Sequence, residues 1–520
     1  MQLTAGQLAA PRSTVYTLFR AGARWHPDRL AIECDGRQWS YGALLDSVDR
    51  LAASLRTRGV TVGDRVGVLS ENRVEYTMLQ LAAARIGAIV ACLNWRLVAE
   101  ELEHCVGLVD PKIIYVSSRF EPLLAEIPHV TGIPVSIETC LDSLVGCAPD
   151  DMSPTEDPEL GLLLLYTSGT TGLPKAALIS NRAEIARMCT LRMDLKIEPD
   201  DAYLAWSPMF HMGGTEHTLS SLMFGAAVVI TDGLDLEAMV RVIGRFKLGW
   251  LLLVPASVEP LLARLKDART KVMGVKVVGC MADLVPAAVI ADVTRTLNAP
   301  FLNSFGSTET GLPPATGHLI PVGETPSDLS KRLSSLCDVR LVDADGNDVV
   351  DGETGECLVR GPTLFSGYWN APEANEKDFR EGWFHMGDLF QRTPTGSLAF
   401  VGRSKYMIKS GGESIYPAEV ERVLLDDPRV ADAAVVRKLD PRWGEVAVAF
   451  IARNDVSLGA KEVEHICRAR LASYKRPREV HFIAMDEMPR SASGKIVREA
   501  LERRLVDKSP EVVAHPAPHQ

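Results

Sequence analysis

Residues 166–176, YTSGTTGLPKA, carry the densest chemistry in the chain. Thr167, Ser168, Thr170 and Thr171 place four hydroxyls within five positions, Gly169 and Gly172 permit positive φ, and Lys175 adds a cation. Glycines of that kind let backbone N–H groups converge on one anion, while hydroxyls and an ammonium group satisfy its oxygens. The chemistry so described is phosphate binding. The spelling is not G-x-x-x-x-G-K-[ST], and a loop of that class needs a helix directly after its lysine. A solvated Gly/Thr hairpin with an incidental lysine is the plain alternative, and four hydroxyls straight after an apolar run weigh against it.

The flanking elements decide which device this is. LGLLLL (160–165) reads as a buried strand and AALIS (176–180) as a second, so the loop joins strand to strand. Asn181 and Glu184 read as the N-cap and capping-box partner of the helix that follows. From about residue 14 to 400, short apolar runs alternate with amphipathic patterns. RVGVLS (65–70), AIVACL (88–93), KIIYVS (112–117), AVVIT (227–231) and WLLLVPA (250–256) read as strands; Tyr41 to Arg56 and Glu237 to Phe246 read as helices. That alternation predicts an α/β fold of two doubly wound subdomains, parallel sheets with helices on both faces. Beyond residue 322 the texture of VRLVDADGNDV, GECLVRG and GSLAFVG predicts a small antiparallel, barrel-like subdomain.

A new unit begins near Arg403, with PAEVERVLL as a helix opened by Pro417, ADAAVVR and EVAVAFIA as strands, KEVEHICRARLASY as a helix and EVHFI as a strand. The expected division is 1–402 for a large domain, 403–505 for a small α+β domain, and 506–520 for a tail with the Pro-rich composition of a frayed terminus.

Bulk properties exclude several function classes. A net charge of −11 with no basic block argues against a nucleic-acid binder. No charged n-region and apolar h-region open the chain, so secretion is not expected. MLQLAAARIGAIVACL is split by Arg85 and Gly87 and predicts a buried helix–turn–strand rather than a membrane span. The ten cysteines include no C-x-x-C pair, which argues against a disulfide framework or zinc site and for a reducing cytoplasm.

Taken with four further motifs in chain order, YTSGTTGLPKA resembles the phosphate loop of the adenylate-forming superfamily, which includes acyl-CoA synthetases, peptide-synthetase adenylation domains and luciferases. SPMFHMGG (207–214) resembles the segment beside the carboxylate substrate, which makes His211 the candidate there. A zinc pair with His217 lacks any H-E-x-x-H spacing, and a packed core histidine stays open for His217. NSFGSTET (303–310) resembles the adenine and metal motif. The resemblance implies that Ser304, Phe305 and Gly306 border the nucleotide with Phe305 stacked on adenine, that Thr308 donates to the α-phosphate, and that Glu309 holds Mg²⁺. A hard cation beside phosphates needs a carboxylate in any case. Read alone, the stretch is equally a turn leading into a helix.

GWFHMGDL (382–389) supplies Asp388, by resemblance the acceptor of the ribose hydroxyls. VGRSKYMIKSGGESIYPAEVE (401–421) supplies Arg403 as a second ribose or phosphate contact and Lys405 at the hinge position. It also supplies Lys409, Gly411 and Gly412, the glycine segment that borders the pantetheine tunnel in free-standing ligases. MPRSASGKIVRE (488–499) presents Lys495, which matches the catalytic lysine; a solvated lysine opening a surface helix is the alternative.

The implied reaction joins a carboxylic acid to ATP, releases pyrophosphate, and passes the acyl group of the adenylate to a thiol. Coenzyme A is the expected acceptor, because LASYKRPREVHFI (471–483) resembles the C-terminal domain of free-standing acyl-CoA ligases. A stand-alone adenylation enzyme loading a carrier protein is the alternative. Luciferase-type oxygenation is disfavoured, and a non-catalytic nucleotide sensor would be expected to have lost Lys495 or Glu309. A homodimer is compatible with the resemblance. Ala176, Met386, Tyr406 and the segment GCMADL (279–284) depart from the family pattern. Cys280, Met281 and Ser304 add volume near the acyl pocket, which predicts medium-chain, cyclic or aryl acids over very long chains.

Overall fold

A computed structural model describes residues 12–141, 144, 147–167, 173–410, 413–490 and 496–507. The apolar runs become buried strands, except that the one read at 250–256 is strand Leu248–Leu252 followed by a 3-10 turn at Pro255–Ser257. One sheet has six strands in the order Ile133–Ser136, Ile113–Val116, Arg65–Leu69, Ile89–Cys92, Gly161–Thr167, Lys175–Ser180. Its first five strands are parallel and the last is antiparallel at the edge. A second layer combines Leu30–Cys34, Val228–Ile230 and Tyr203–Ala205 with Leu248–Leu252, Val275–Cys280 and Phe301–Asn303, all parallel within their sheets. A parallel bridge between Ala202 and Leu248 joins the two groups.

The stretch around Arg85 and Gly87 is a helix–turn–strand, as its composition predicts. Helix Val74–Ile86 is buried all round and ends at Gly87, whose φ of 87° lies in the left-handed region. A Cβ there would also sit 2.9 Å from the Thr155 methyl, so glycine is required twice over. The chain then re-enters the sheet as Ile89–Cys92. Among the described residues no helix is long and apolar enough to cross a membrane.

The capping expectation after the phosphate loop needs correcting. Helix Asn181–Leu195 is capped by Ser180, whose hydroxyl accepts from the Ala183 N–H at 3.3 Å. Asn181 spends its side-chain oxygen on the Val15 N–H at 3.0 Å, and Glu184 is buried against a neighbouring helix. The helix begins one residue earlier than a cap at Asn181 requires, and tertiary partners claim both side chains.

The unit after residue 322 is a five-stranded antiparallel sheet. Asp338–Val342, Thr354–Arg360 and Trp383–Arg392 run side by side, and Phe379–Arg380 and Leu398–Arg403 also pair with the long strand Trp383–Arg392. Its Phe384, Phe390 and Leu398 merge into the main core of the large N-terminal part. The smaller C-terminal part has its own sheet, with Glu413–Ile415, Ile408–Ser410, Gly444–Arg453 and Val430–Asp440 in order and Glu479–Phe482 parallel to Gly444–Arg453. Separate apolar clusters on the two faces of that sheet hold it together, one under helices Pro417–Leu425 and Ala460–Arg470, the other under helix Arg498–Asp507.

Candidate active site

Thr167 and Lys175 are opposite each other in the antiparallel pair that brackets the phosphate-loop sequence. Ser168, Gly169, Thr170, Thr171 and Gly172 lie outside the described residues. The Lys175 ammonium sits 3.6 Å from the centroid of the Tyr368 ring and 3.4 Å from Asp378 Oδ2. Tyr368 in turn donates its hydroxyl to Glu309 Oε1 at 2.8 Å. The loop cation and the metal-candidate carboxylate therefore meet through one phenol. Burial, with Glu309 beside it, pushes the Tyr368 hydroxyl far above its ordinary value, so it remains a donor.

NSFGSTET forms a hairpin, Gly306–Ser307 against Gly311–Pro314, and not a turn into a helix. A Cβ on Gly306 would overlap the Gly311 carbonyl oxygen, so only glycine lets the two arms close. Two tertiary hydrogen bonds pin the tip. Arg187 Nη2 donates to the Thr308 carbonyl at 3.1 Å, and the Phe365 N–H donates to the Glu309 carbonyl at 2.8 Å. Thr308 and Glu309 both line one large cleft, with Ser304, Phe305 and Gly306. Phe305 is largely buried, with ring centroids 4.8 Å from Phe390 and 5.1 Å from Phe400.

Behind this hairpin lies a buried charge network that no sequence motif announced. Arg187 donates to Glu216, to the Thr363 carbonyl and to the Thr308 carbonyl, and both Arg187 and Glu216 side chains are only 3% exposed. Glu184 accepts from the Ser220 hydroxyl at 3.0 Å through Oε1, while its Oε2 has no partner among the described residues. Burial and then the charge of Glu216 push Glu184 well above the carboxylate range. Burial pushes Glu216 up to about 7, with Arg187 pulling the other way. The two buried carboxyls therefore favour their protonated forms, and the Arg187 guanidinium opposes that shift at both.

A carboxyl whose folded value is raised stabilises the fold fully below its ordinary 4.5, and that contribution is lost as pH rises toward the folded value. Glu184→Gln mimics the protonated acid. As pH rises above the ordinary 4.5, wild type should therefore lose stability faster than Glu184→Gln, by up to about 1.4 kcal/mol per pH unit. Thermal melts across that range check the sign; a variant that loses stability faster than wild type overturns the protonation assignment.

Asp388 and Arg403 are direct cross-strand partners, joined by Arg403 Nε to Asp388 Oδ1 at 3.0 Å. Asp388 is 1% exposed, whereas the Arg403 side chain is 42% exposed. Asp388 raises the pKa of Arg403 and keeps it charged. The pair stands where the antiparallel sheet gives way to the C-terminal part. Just beyond it, Lys405 and Tyr406 both reach Glu499, at 3.2 and 3.1 Å. Lys409 is exposed and donates its N–H to Glu445 at 2.8 Å. Gly411, Gly412 and Lys495 lie outside the described residues. Arg490 and Ile496, which flank the Lys495 segment, pair as an antiparallel bridge, and both line the cleft.

The opposite wall of the cleft is built from helix Met212–Met223. His211 is its N-cap, with Nδ1 accepting from the Gly213 N–H at 3.3 Å. Gly214 packs so closely on the Ser207 and Pro208 carbonyls that a Cβ would clash, which fixes how His211 enters the cleft. His217 is buried between Tyr203 and Trp250, its ring 5.6 and 4.9 Å from theirs, and burial lowers its pKa to about 3. It is a neutral imidazole in a packed wall. Trp206, Phe210, Leu252 and Met281 complete the apolar side, and burial pushes the Cys280 thiol up to about 12, which makes it filler and not a nucleophile.

Sequence reasoning missed Tyr368, Arg187 and the Lys331–Asp283 pair. Lys331 is fully buried; it pairs with Asp283 and donates to Asn303 Oδ1 at 3.0 Å, tying the GCMADL departure to the strand that leads into the hairpin. Asp283, a charge in an otherwise apolar stretch, was the available signal.

The site can be set beside known proteins. Family descriptions match at residues 19–369, as an AMP-binding enzyme, and at 419–495, as an AMP-binding enzyme C-terminal domain. Indoleacetate–CoA ligase of Aromatoleum aromaticum is 35% identical over 93% of this chain and 96% of its own length. A feruloyl-CoA synthase of Amycolatopsis is 32% identical over 93% and 97%. Among solved structures, the o-succinylbenzoate CoA synthetase of Bacillus subtilis in complex with its acyl-adenylate intermediate superposes with a TM-score of 0.81 at 27% identity, covering 94% of this chain and 98% of that one. With both parts matched in order and the phosphate, hairpin and seam residues facing one cleft, the chain belongs to the AMP-binding enzyme family.

Proposed function

We propose that this protein is an ATP-dependent acid–CoA ligase acting on aryl or arylalkanoic acids through an acyl-adenylate. The carrying observation is the convergence of Lys175, Tyr368 and Glu309 on one side of the cleft and Asp388 with Arg403 on another, with His211 on a third. A triphosphate laid between them has a cation at its distal end, a carboxylate beside its phosphates, and an acceptor–cation pair at its sugar. The relatives that act on indoleacetate and ferulate support an aromatic acid, as do Trp206, Phe210 and Trp250 along the cleft.

In the first step a carboxylate oxygen of the acid attacks the α-phosphorus, the bond to pyrophosphate breaks, and negative charge gathers on the α-phosphate oxygens. Thr308 donates to those oxygens and Lys495 neutralises them, so the protein works by positioning and preorganised charge. Glu309 would hold magnesium, which would supply positive charge to offset the charge on the leaving pyrophosphate. No group of three or more His, Cys, Asp or Glu stands ready for a metal among the described residues, and one carboxylate suits a cation that takes its other ligands from phosphate and water. In the second step the thiol of coenzyme A attacks the acyl carbon, the C–S bond forms and AMP leaves. Lys405 and the seam beside Asp388 and Arg403 are the pivot for a small C-terminal lobe, residues 403–505, that serves both steps. A cytoplasmic setting, with its supply of ATP and coenzyme A, fits this reading.

A pyrophosphate-release screen over diverse carboxylic acids, with and without coenzyme A, tests it. The expected result is a stoichiometric burst without thiol and sustained turnover with it, aryl acids leading and palmitate-length acids trailing. Sustained turnover that needs a protein acceptor, or ADP and orthophosphate as products, overturns it.

A further inference from the structure

We propose that His217 selects the acid by hydrogen-bonding a polar atom on its ring. The inference rests on the acid–CoA ligase reading and narrows its substrate to aryl or heteroaryl acids whose ring carries an N–H or O–H group. His217 is 5% exposed, and with Trp250 it lines both the main cleft and a small cavity behind the wall, bordered by Tyr203, Ser221 and Phe224. Aromatic and aliphatic side chains line most of that cavity, and Ser221 and Asp201 are its other polar members, neither hydrogen-bonded to the imidazole. Among the described residues its imidazole makes ring contacts only, to Tyr203 and Trp250, and no hydrogen bond.

A neutral imidazole carries one donor and one acceptor nitrogen, and buried polar atoms of that kind are almost always paired. A wall meant only to pack would use phenylalanine or leucine here. Because His217 also lines the main cleft, a molecule that enters the cleft can supply the partner. The helix supplies the scale: from His211 at its N-cap to His217 is six residues, about 9 Å at the usual rise. That is the span of a two-ring acid, or of a single ring with a para substituent, when its carboxylate lies beside His211. Trp250, edge-on to the imidazole at 60°, gives such a ring an aromatic neighbour. Burial holds the imidazole neutral across physiological pH, so the recognition does not titrate there.

The experiment measures kcat/KM for matched acids: indole-3-acetate against 1-naphthylacetate, and 4-hydroxyphenylacetate against phenylacetate. Wild type is expected to prefer at least one polar member over its apolar partner by about tenfold or more, with the ratio constant from pH 6 to 9. His217→Phe, which keeps the ring and removes the hydrogen bond, should bring that ratio to within about twofold of unity, and His217→Asn should retain part of it. No preference in wild type for either pair, or a preference that survives in His217→Phe, overturns the proposal. If His217→Phe does not fold, the wild-type ratios and His217→Asn decide. Failure of every acid to release pyrophosphate would instead strike the ligase reading itself, whereas activation without discrimination strikes only the role of His217.

Discussion

Lys495→Ala is expected to slow formation of acyl-adenylate from ATP and acid by roughly a thousandfold, while turnover of supplied acyl-adenylate with coenzyme A stays largely intact. The magnitude comes from electrostatics. A lysine about 4 Å from the charge that builds on the α-phosphate is worth on the order of 4 kcal/mol at an effective dielectric near 20. Removing a single preorganised donor in an oxyanion hole costs a similar amount. The asymmetry between the half-reactions comes from their chemistry: the first gathers charge on phosphorus-bound oxygens, the second at the acyl carbon, where AMP is already the leaving group. Arg490 and Ile496, on either side of the Lys495 segment, pair with each other and both line the cleft. Single-turnover assays of each half-reaction decide; equal loss in both refutes the division of labour.

The second large effect is on the fold beneath the site. Arg187→Leu should lower the melting midpoint by about 10 °C, the equivalent of breaking a buried ion pair worth roughly 3–5 kcal/mol. Arg187 and Glu216 are 3% exposed, so the change strands Glu216 with no counter-charge. It also removes the donors that hold the Thr363 and Thr308 carbonyls, the latter at the tip of the hairpin formed by Gly306–Ser307 and Gly311–Pro314. Replacing both partners, Arg187→Met with Glu216→Met, should recover much of the lost stability, since a well-packed apolar pair avoids the desolvation of two charges. It should not restore adenylation fully, because the Thr308 carbonyl then lacks its Arg187 donor and only the Phe365 bond to Glu309 holds the tip. A melting curve for Arg187→Leu that overlays wild type would mean the network carries no load.

Particular elements show what could be read along the chain. The strand–loop–strand around Lys175, the helix–turn–strand at Gly87 and the helix opened by Pro417 are local: each follows from apolar period, turn residues and caps within a dozen positions, and each formed as expected. The capping assignment at Asn181 failed because a distant N–H, that of Val15, outbid the local one. NSFGSTET, read alone, was a turn leading into a helix; it is a hairpin, pinned by contact with Arg187, more than a hundred residues earlier, and with Phe365. Asp388 and Arg403 were legible as a pair; that their side chains touch follows from a strand register with a bulge between Leu389 and Phe390.

By itself, then, the order of residues determined the chemistry on offer: a phosphate loop, a carboxylate for a cation, an acid–base pair at a seam and a lysine near the C-terminal end, in an α/β chain of two unequal parts. Only the tertiary structure decided which groups meet. Tyr368 joins Lys175 to Glu309, Arg187 braces Thr308, and His217 packs between Tyr203 and Trp250 at the edge of the cleft. The physical reason is range. Hydrophobic period and turn preference act over a few bonds and are written locally, whereas the partner of a buried polar group is chosen by three-dimensional packing, which brings together residues that no spacing rule connects.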